Sequence, residues 1–262
     1  MTVHCVRSVR CAVDASTSTD PSFLSDPRGT VGRMTTFVLV PGAGGIGAYW
    51  SRLIPMLRDR GHDAVAVDLP ADDPSAGFAD YADVVVEAAA GHPDPVLVAQ
   101  SLGGFTAPRV WLRIPVRTVV FLNAMIPAPG ETAGDWWSNT GSSLAREENN
   151  VREGRAADDP FDLVTYFFHD VPADLREEAM REERTQTDTV FAQTAGFERW
   201  PDIPIRVLSG LDDRFFPVDF QRRVAQERLG ITPDTMPGGH LVALSQPDEL
   251  AERLVGYAKD VS

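Results

Sequence analysis

The stretch Val96-Leu97-Val98-Ala99-Gln100-Ser101-Leu102-Gly103-Gly104 sets a serine at the junction of two different periodicities. Ahead of it, an apolar run introduced by Pro95 predicts a buried parallel strand. Behind it, Phe105, Ala107, Val110 and Trp111 recur at helical spacing. Small residues flank the serine, Ala99 two positions before and Gly103 two positions after, as a very tight strand-to-helix turn requires. Such a turn holds the serine hydroxyl at the carboxyl end of the strand. The first N–H groups of the helix then lie beside it, ready to face a developing oxyanion. Ala99 departs from the Gly-x-Ser-x-Gly pattern by a single methyl group. An ordinary strand followed by a serine-capped helix fits the same residues, so the rest of the chain has to decide.

Around this stretch, strands and helices alternate. The β-branched run at 36–40 predicts a buried strand, which stops at the glycine-rich loop Pro41-Gly42-Ala43-Gly44-Gly45-Ile46-Gly47. Trp50, Leu53, Ile54 and Leu57 mark a helix, residues 63–67 a strand, and Tyr81, Val84, Val85 and Ala88 the next amphipathic helix. Residues 116–122 give the strand after the serine elbow. This order predicts an α/β chain with a mostly parallel sheet and helices on both faces. The glycine loop matches neither a dinucleotide fingerprint nor a P-loop. It can supply a backbone N–H to an oxyanion hole.

The alternation breaks at 127–201, where Trp136, Trp137, Phe161, Phe167, Phe168 and Phe191 lie among many charges in helical patterns. Linkers are poor in aromatics, so this segment is expected to be an inserted helical cap shaping an apolar pocket. Some of those aromatics must serve only to hold the cap on the core. Residues 34–126 and 202–262 form the expected core, and 1–33, rich in Ser, Thr, Asp, Pro and Gly, a flexible tail. The sheet resumes at 205–209, a helix follows over 218–229, and a short strand near Thr235 leads to Gly238-Gly239-His240-Leu241. Pro247 opens the last helix, with Leu250, Leu254 and Tyr257 on its inner face.

A net charge of −14 argues against nucleic acid or an anionic membrane surface as a partner. Cys5 and Cys11 both fall in the tail, so neither a disulfide framework, a metal cluster nor a cysteine nucleophile is expected in the core. No apolar run is long enough to span a membrane, and no signal peptide is read at the N-terminus, which makes a cytoplasmic location the expectation. Nothing in the sequence separates a monomer from a homodimer.

Ser101, Asp213 and His240 all fall at the carboxyl ends of successive strands, the edge where open α/β sheets bind ligands. A serine hydroxyl needs a base to take its proton, histidine titrates near neutrality, and a carboxylate fixes the histidine tautomer. Of the five histidines, His4 is in the tail, His62 and His92 in turns at the opposite edge and His169 in the cap. That leaves His240. Asp212 and Asp213 compete for the acid; Asp213 is preferred, and Asp212 can instead cap its own loop.

From Phe37 onward the chain resembles the α/β-hydrolase superfamily, especially the branch of plant methyl ester hydrolases and hydroxynitrile lyases. Phe37-Val38-Leu39-Val40-Pro41-Gly42-Ala43, Gln100-Ser101-Leu102-Gly103-Gly104, Asp212-Asp213-Arg214 with Phe220-Gln221-Arg222, and His240 through Pro247 carry the resemblance. The cap matches poorly. The resemblance implies an α/β-hydrolase fold with Ser101 as nucleophile, His240 as base and Asp213 as acid, and places oxyanion donors on Ala43 and Leu102. Pro41 and Gln100 stand where that branch has histidines. Related lyases carry a lysine after the catalytic histidine and a threonine in the oxyanion loop, where this chain has Leu241 and Gly42. The expected activity is therefore hydrolysis of a small carboxylic ester, without cofactor or metal. A cofactor-free lyase and a weakly catalytic small-molecule-binding protein are the alternatives. Gly42, Trp136, Phe168, Phe216 and Leu241 are the expected substrate-pocket residues.

Overall fold

The computed structural model describes residues 34–260, so the expected tail, with both cysteines, lies outside the described residues. The strands are β1 (Thr36–Val40), β2 (Asp63–Ala66), β3 (Val96–Gln100), β4 (Thr118–Leu122), β5 (Ile205–Gly210) and β6 (Asp234–Met236), the inner ones short apolar runs and β6 the polar edge. They form one sheet in the order β2-β1-β3-β4-β5-β6, with every pair parallel. β2 and β4 are shorter than the expected 63–67 and 116–122. Arg117, for instance, bonds through its N–H to the Pro95 carbonyl outside the ladder.

Strand periodicity divides the core into two layers. Phe37 and Leu39 of β1 face one side with Val96, Val98, Val120, Leu122 and Leu208. That side is covered by α1 (Leu53–Asp59) and, near the C-terminus, by Leu250, Leu254 and Tyr257. Val38 and Val40 face the other side with Leu97, Ala99, Val119 and Phe121. There α2 (Phe78–Ala88) and α3 (Gly103–Trp111) supply Phe78, Tyr81, Val85, Phe105 and Val110. With both faces covered, the strands read as continuous apolar runs. The expected first helix is broken: Trp50 belongs to a 3₁₀ turn, Gly47–Trp50, ahead of α1.

Between β4 and β5 the chain makes a helical excursion through α4 (Ala133–Thr140), α5 (Ser142–Arg152), α6 (Leu163–Tyr166) and α7 (Ala173–Arg181). Its two ends meet. Thr132 and Thr194 form an isolated antiparallel bridge, and the Ala133 N–H donates to the Gln193 carbonyl at 3.1 Å. The Thr132 hydroxyl caps α4 by accepting from the Asp135 N–H. After β5 come α8 (Val218–Leu229), α9 (Val242–Ser245) and α10 (Pro247–Asp260).

The strand order reverses at β1: β2 lies on one side of it, β3 and every later strand on the other. Loops leaving β1 and β3 therefore diverge from adjacent starting points, since Val40 pairs with Ala99. This is the switch point at which open parallel sheets bind ligands. Among the described residues no helix is long and apolar enough to cross a membrane.

Candidate active site

Ser101 sits at the switch point with a left-handed φ of 51°. Non-glycine residues rarely occupy that region, and holding one there costs on the order of 1–3 kcal/mol. The surrounding chain fixes it. The Ser101 N–H donates to the Leu122 carbonyl, and its own carbonyl accepts from the Gly104 and Met125 N–H groups. A side chain at Gly104 would collide with the Met125 carbonyl oxygen, and one at Gly103 would come within 2.7 Å of the Pro41 carbonyl oxygen. Both glycines are therefore required by close backbone approach. Ala99, fully buried on β3, shows that one methyl fits at the first flank.

The Ser101 Oγ lies 3.1 Å from His240 Nε2, and His240 Nδ1 lies 2.9 Å from Asp213 Oδ2. Asp213 and His240 are 2% and 0% exposed. Every group aimed at the Asp213 carboxylate is a donor: the Phe215 and Phe216 N–H groups reach Oδ1, both at 2.9 Å, and the Gln221 amide reaches Oδ2 at 3.2 Å. An acceptor-only carboxylate opposite Nδ1 puts the imidazole proton on Nδ1 and leaves Nε2 as the acceptor facing Ser101. Asp212 turns away; its carboxylate accepts from the Gly238 N–H at 3.0 Å and caps the loop.

The glycine-rich loop after β1 borders the serine. Pro41 has no N–H, the Gly42 N–H donates to Gln100 Oε1 at 3.1 Å, and the Gly44 N–H donates to Gln186 Oε1 at 3.2 Å. Ala43 between them has no acceptor for its N–H among the described residues, and neither does Leu102 beside the serine. Two N–H groups without a protein acceptor thus border the same cavity as Ser101.

A cavity of about 230 Å³ opens onto Ser101, Ala43 and Leu102. Its walls are mostly apolar, with Ile46, Met125, Trp137, Phe161, Phe167 and Phe215. Tyr49 lines it too, its phenol pushed up to about 12 by burial and by the nearby Glu183 charge, so it stays a neutral donor. Arg184, at the rim, pairs with Asp68 at 3.3 Å.

The expected pocket residues need correction. Trp136, Phe168 and Phe216 do not line this cavity; each is fully buried in packing, and the neighbours Trp137, Phe167 and Phe215 line it instead. Trp136 packs on Phe216 and Phe220 and donates its indole N–H to the Ile126 carbonyl. Phe168 and Leu241 share a separate cluster with Val171 and Leu244. Leu241 also borders a cavity of about 10 Å³ behind His240. Gly42 abuts the Ser101 side chain, while Ala43 and Gly44 face the cavity.

Several supporting residues carry no motif. Buried Asn123, just after β4, donates to the Gly239 and His240 carbonyls and accepts from the Gly210 N–H at 2.7 Å, tying the end of β5 to the His240 loop. Its signal is a polar residue just after an apolar strand. Asp170 accepts from the Gly239 N–H at 2.6 Å, and His169 Nε2 donates to the Asp212 carbonyl at 3.0 Å, so the excursion touches both loops. Among the described residues no group of three His, Cys, Asp or Glu side chains is placed to hold a metal ion.

The sequence profile described as "Alpha/beta hydrolase family" matches residues 37–253. A pyrethroid hydrolase of Sphingobium wenxiniae is 27% identical over 249 residues, covering 86% of this chain and 88% of the relative. Polyneuridine aldehyde esterase of Rauvolfia serpentina is 26% identical over 252 residues, covering 84% and 94%. The crystal structure of polyneuridine aldehyde esterase superposes with a TM-score of 0.69 at 21% identity, covering 86% of this chain and all of that one. A methylesterase structure from Arabidopsis gives 0.68 at 16%, covering 87% and 100%. At those identities the structural likeness is one of fold.

Proposed function

The chain belongs to the alpha/beta hydrolase family, and from that premise we propose that it hydrolyses small carboxylic esters through an acyl-enzyme on Ser101. The observation that carries this reading is the relay from Ser101 Oγ through His240 to Asp213, with steps of 3.1 and 2.9 Å, on the wall of an apolar cavity. His240 Nε2 takes the Ser101 proton as Oγ attacks the acyl carbon. The carbonyl oxygen becomes an oxyanion facing the Ala43 and Leu102 N–H groups. As the tetrahedral species collapses, His240 gives its proton to the departing alcohol oxygen and Ser101 keeps the acyl group. Water, deprotonated by His240, then attacks the acyl carbon; the bond from that carbon to Oγ breaks, His240 returns the proton to Oγ, and the acid leaves. Asp213 holds the imidazole and balances its charge while the proton is on it. In this reading 127–201 is the cap over a core of 34–126 and 202–262. Relatives named for pyrethroid and polyneuridine aldehyde ester cleavage support an ester with an apolar body.

The test is hydrolysis of p-nitrophenyl acetate and butyrate by wild type and Ser101→Ala. We expect kcat to fall at least about a thousandfold in the variant, with the circular dichroism spectrum unchanged. Equal rates in the two proteins would overturn the serine mechanism.

A further inference from the structure

We propose that Gln186, contributed by the excursion between β4 and β5, is a positioning residue that aims the Ala43 N–H at the oxyanion; this rests on the hydrolase reading above. The geometry concerns three consecutive peptide units. The unit ending in the Gly42 N–H is held by Gln100 Oε1 at 3.1 Å. The unit carrying the Ala43 N–H is held through its own carbonyl, Gly42 O, by the Gly45 N–H at 3.1 Å. In the third unit, the Gly44 N–H is held by Gln186 Oε1 at 3.2 Å. A peptide unit is rigid and planar, so fixing one unit and both its neighbours fixes the direction of the N–H left over. That N–H belongs to Ala43.

The orientation of each glutamine amide follows from its partners. A backbone N–H can only donate, so Oε1 must face Gly44, and the Gln186 Nε2 then donates to the Tyr81 hydroxyl and the Thr187 carbonyl, both at 3.1 Å. By the same logic Gln100 gives Oε1 to Gly42 and Nε2 to the His240 carbonyl, at 3.4 Å. Two glutamines thus pin the loop from opposite sides, one from the sheet and one from the excursion.

Gln186 is itself anchored on both sides. Arg184 pairs with Asp68, and the Thr187 N–H donates to the Ala71 carbonyl at 2.9 Å. Tyr81, its third support, is buried on α2. The excursion therefore contributes to the oxyanion hole as well as to the cavity wall. An N–H that loses its acceptor here leaves its peptide unit free to turn toward solvent or substrate, and takes the Ala43 donor off line. Removing one oxyanion donor outright costs about 10²–10³ in kcat, so misaligning one should cost a smaller factor.

The experiment compares wild type, Gln186→Met, Tyr81→Phe, the double variant and Ser101→Ala. The readouts are kcat and KM for p-nitrophenyl acetate, and inhibition by a trifluoromethyl ketone against its methyl ketone counterpart. The fluorinated ketone forms a tetrahedral oxyanion adduct with the serine; the plain ketone reports ground-state binding. For Gln186→Met we expect kcat to fall roughly tenfold with KM within twofold. The trifluoromethyl ketone should weaken by the same factor while the methyl ketone is unchanged. Tyr81→Phe should give a smaller loss that adds nothing in the double variant, as for residues acting as one unit. Full kcat in Gln186→Met, or a raised KM with kcat unchanged, would overturn the proposal. Amide resonances separate this outcome from failure of the hydrolase reading. If Ser101→Ala turns over ester as fast as wild type, the serine mechanism falls. Movement of both the Gly44 and Ala43 signals in Gln186→Met then shows that Gln186 orients the Ala43 peptide unit independently of the chemistry, and an unmoved Ala43 signal overturns the positioning role.

Discussion

Phe167 stacks on the imidazole of His240, with ring centroids 4.6 Å apart and planes inclined by 28°. Phe215 and Phe216 meet the same imidazole edge-on, each at 5.3 Å. His240 thus sits inside a phenyl cage, one wall of which comes from the excursion. The Phe167 ring holds the plane of that imidazole from one side, so its loss lets the ring turn away from Ser101. Phe167→Ala is expected to lower kcat about threefold to tenfold, on the scale of 1.4 kcal/mol per tenfold. Phe167 is only half-buried, so the thermal midpoint should move little. Steady-state kinetics beside a melting curve check this, and a large fall in melting temperature at unchanged kcat would show Phe167 to be packing alone.

Asp213 and Asp212 should respond very differently to the same conservative change. All the neighbours of the Asp213 carboxylate donate, so Asp213→Asn must point its NH₂ at another donor or force the His240 tautomer that puts a proton on Nε2. A loss of about 10⁴ in kcat is expected. Asp212→Asn keeps an oxygen for the Gly238 N–H and should stay within a few-fold of wild type. Parallel kinetics on the two variants decide which aspartate is the acid.

Glu131, at the start of the excursion, forms a two-pronged pair with Arg228 of α8, with one contact at 2.8 Å. Burial pushes the Glu131 carboxyl up, but bonds from Arg228, Asn139 and the Ala128 N–H outweigh it and hold it below the usual range. A lowered carboxyl stabilises the fold above its unfolded value of about 4.3; that contribution is lost as pH falls through the folded value. Glu131→Gln leaves a buried guanidinium unpaired and should cost about 3 kcal/mol at pH 7. The gap from wild type should narrow below pH 4.3, as urea titrations across that range would show.

How far the sequence reveals this site varies residue by residue. Ser101, Asp213 and His240 stand out because each interrupts a strand-and-turn pattern with a reactive side chain, and the sheet topology brings strand ends together. The pocket does not stand out. Trp136-Trp137, Phe167-Phe168 and Phe215-Phe216 are adjacent pairs of equal hydrophobicity, so composition gives no preference for either member. Which ring faces the cavity depends on the phase at which a short helix or turn docks, a tertiary property. In all three pairs the member expected to line the pocket is buried in packing, and its neighbour lines the cavity. Gln186 and Asp170 are illegible for another reason: what each holds in the neighbouring loop is a backbone N–H, which every residue but proline carries.

The Trp136-Trp137 pair turns that distinction into a measurement. Trp137→Ala removes cavity wall and should extend turnover to longer p-nitrophenyl esters, with little change in stability. Trp136→Ala removes a fully buried indole and should cost about 3–5 kcal/mol, leaving the chain-length profile where it was. Rates for acyl chains from acetate to octanoate, with melts of both variants, separate the roles.

The bridge between Thr132 and Thr194 closes the excursion at its neck, so what lies beyond it can change length without disturbing the sheet. Not all of it is equally free. Residues 167–170 and 184–187 lean on His240, the loops at Asp212 and Gly239, and the glycine loop, whereas α4 reaches the cavity through Trp137. Replacing Trp137 therefore reshapes the cavity alone, whereas a change at Phe167, Asp170 or Gln186 reaches the loops that hold Ser101 and His240.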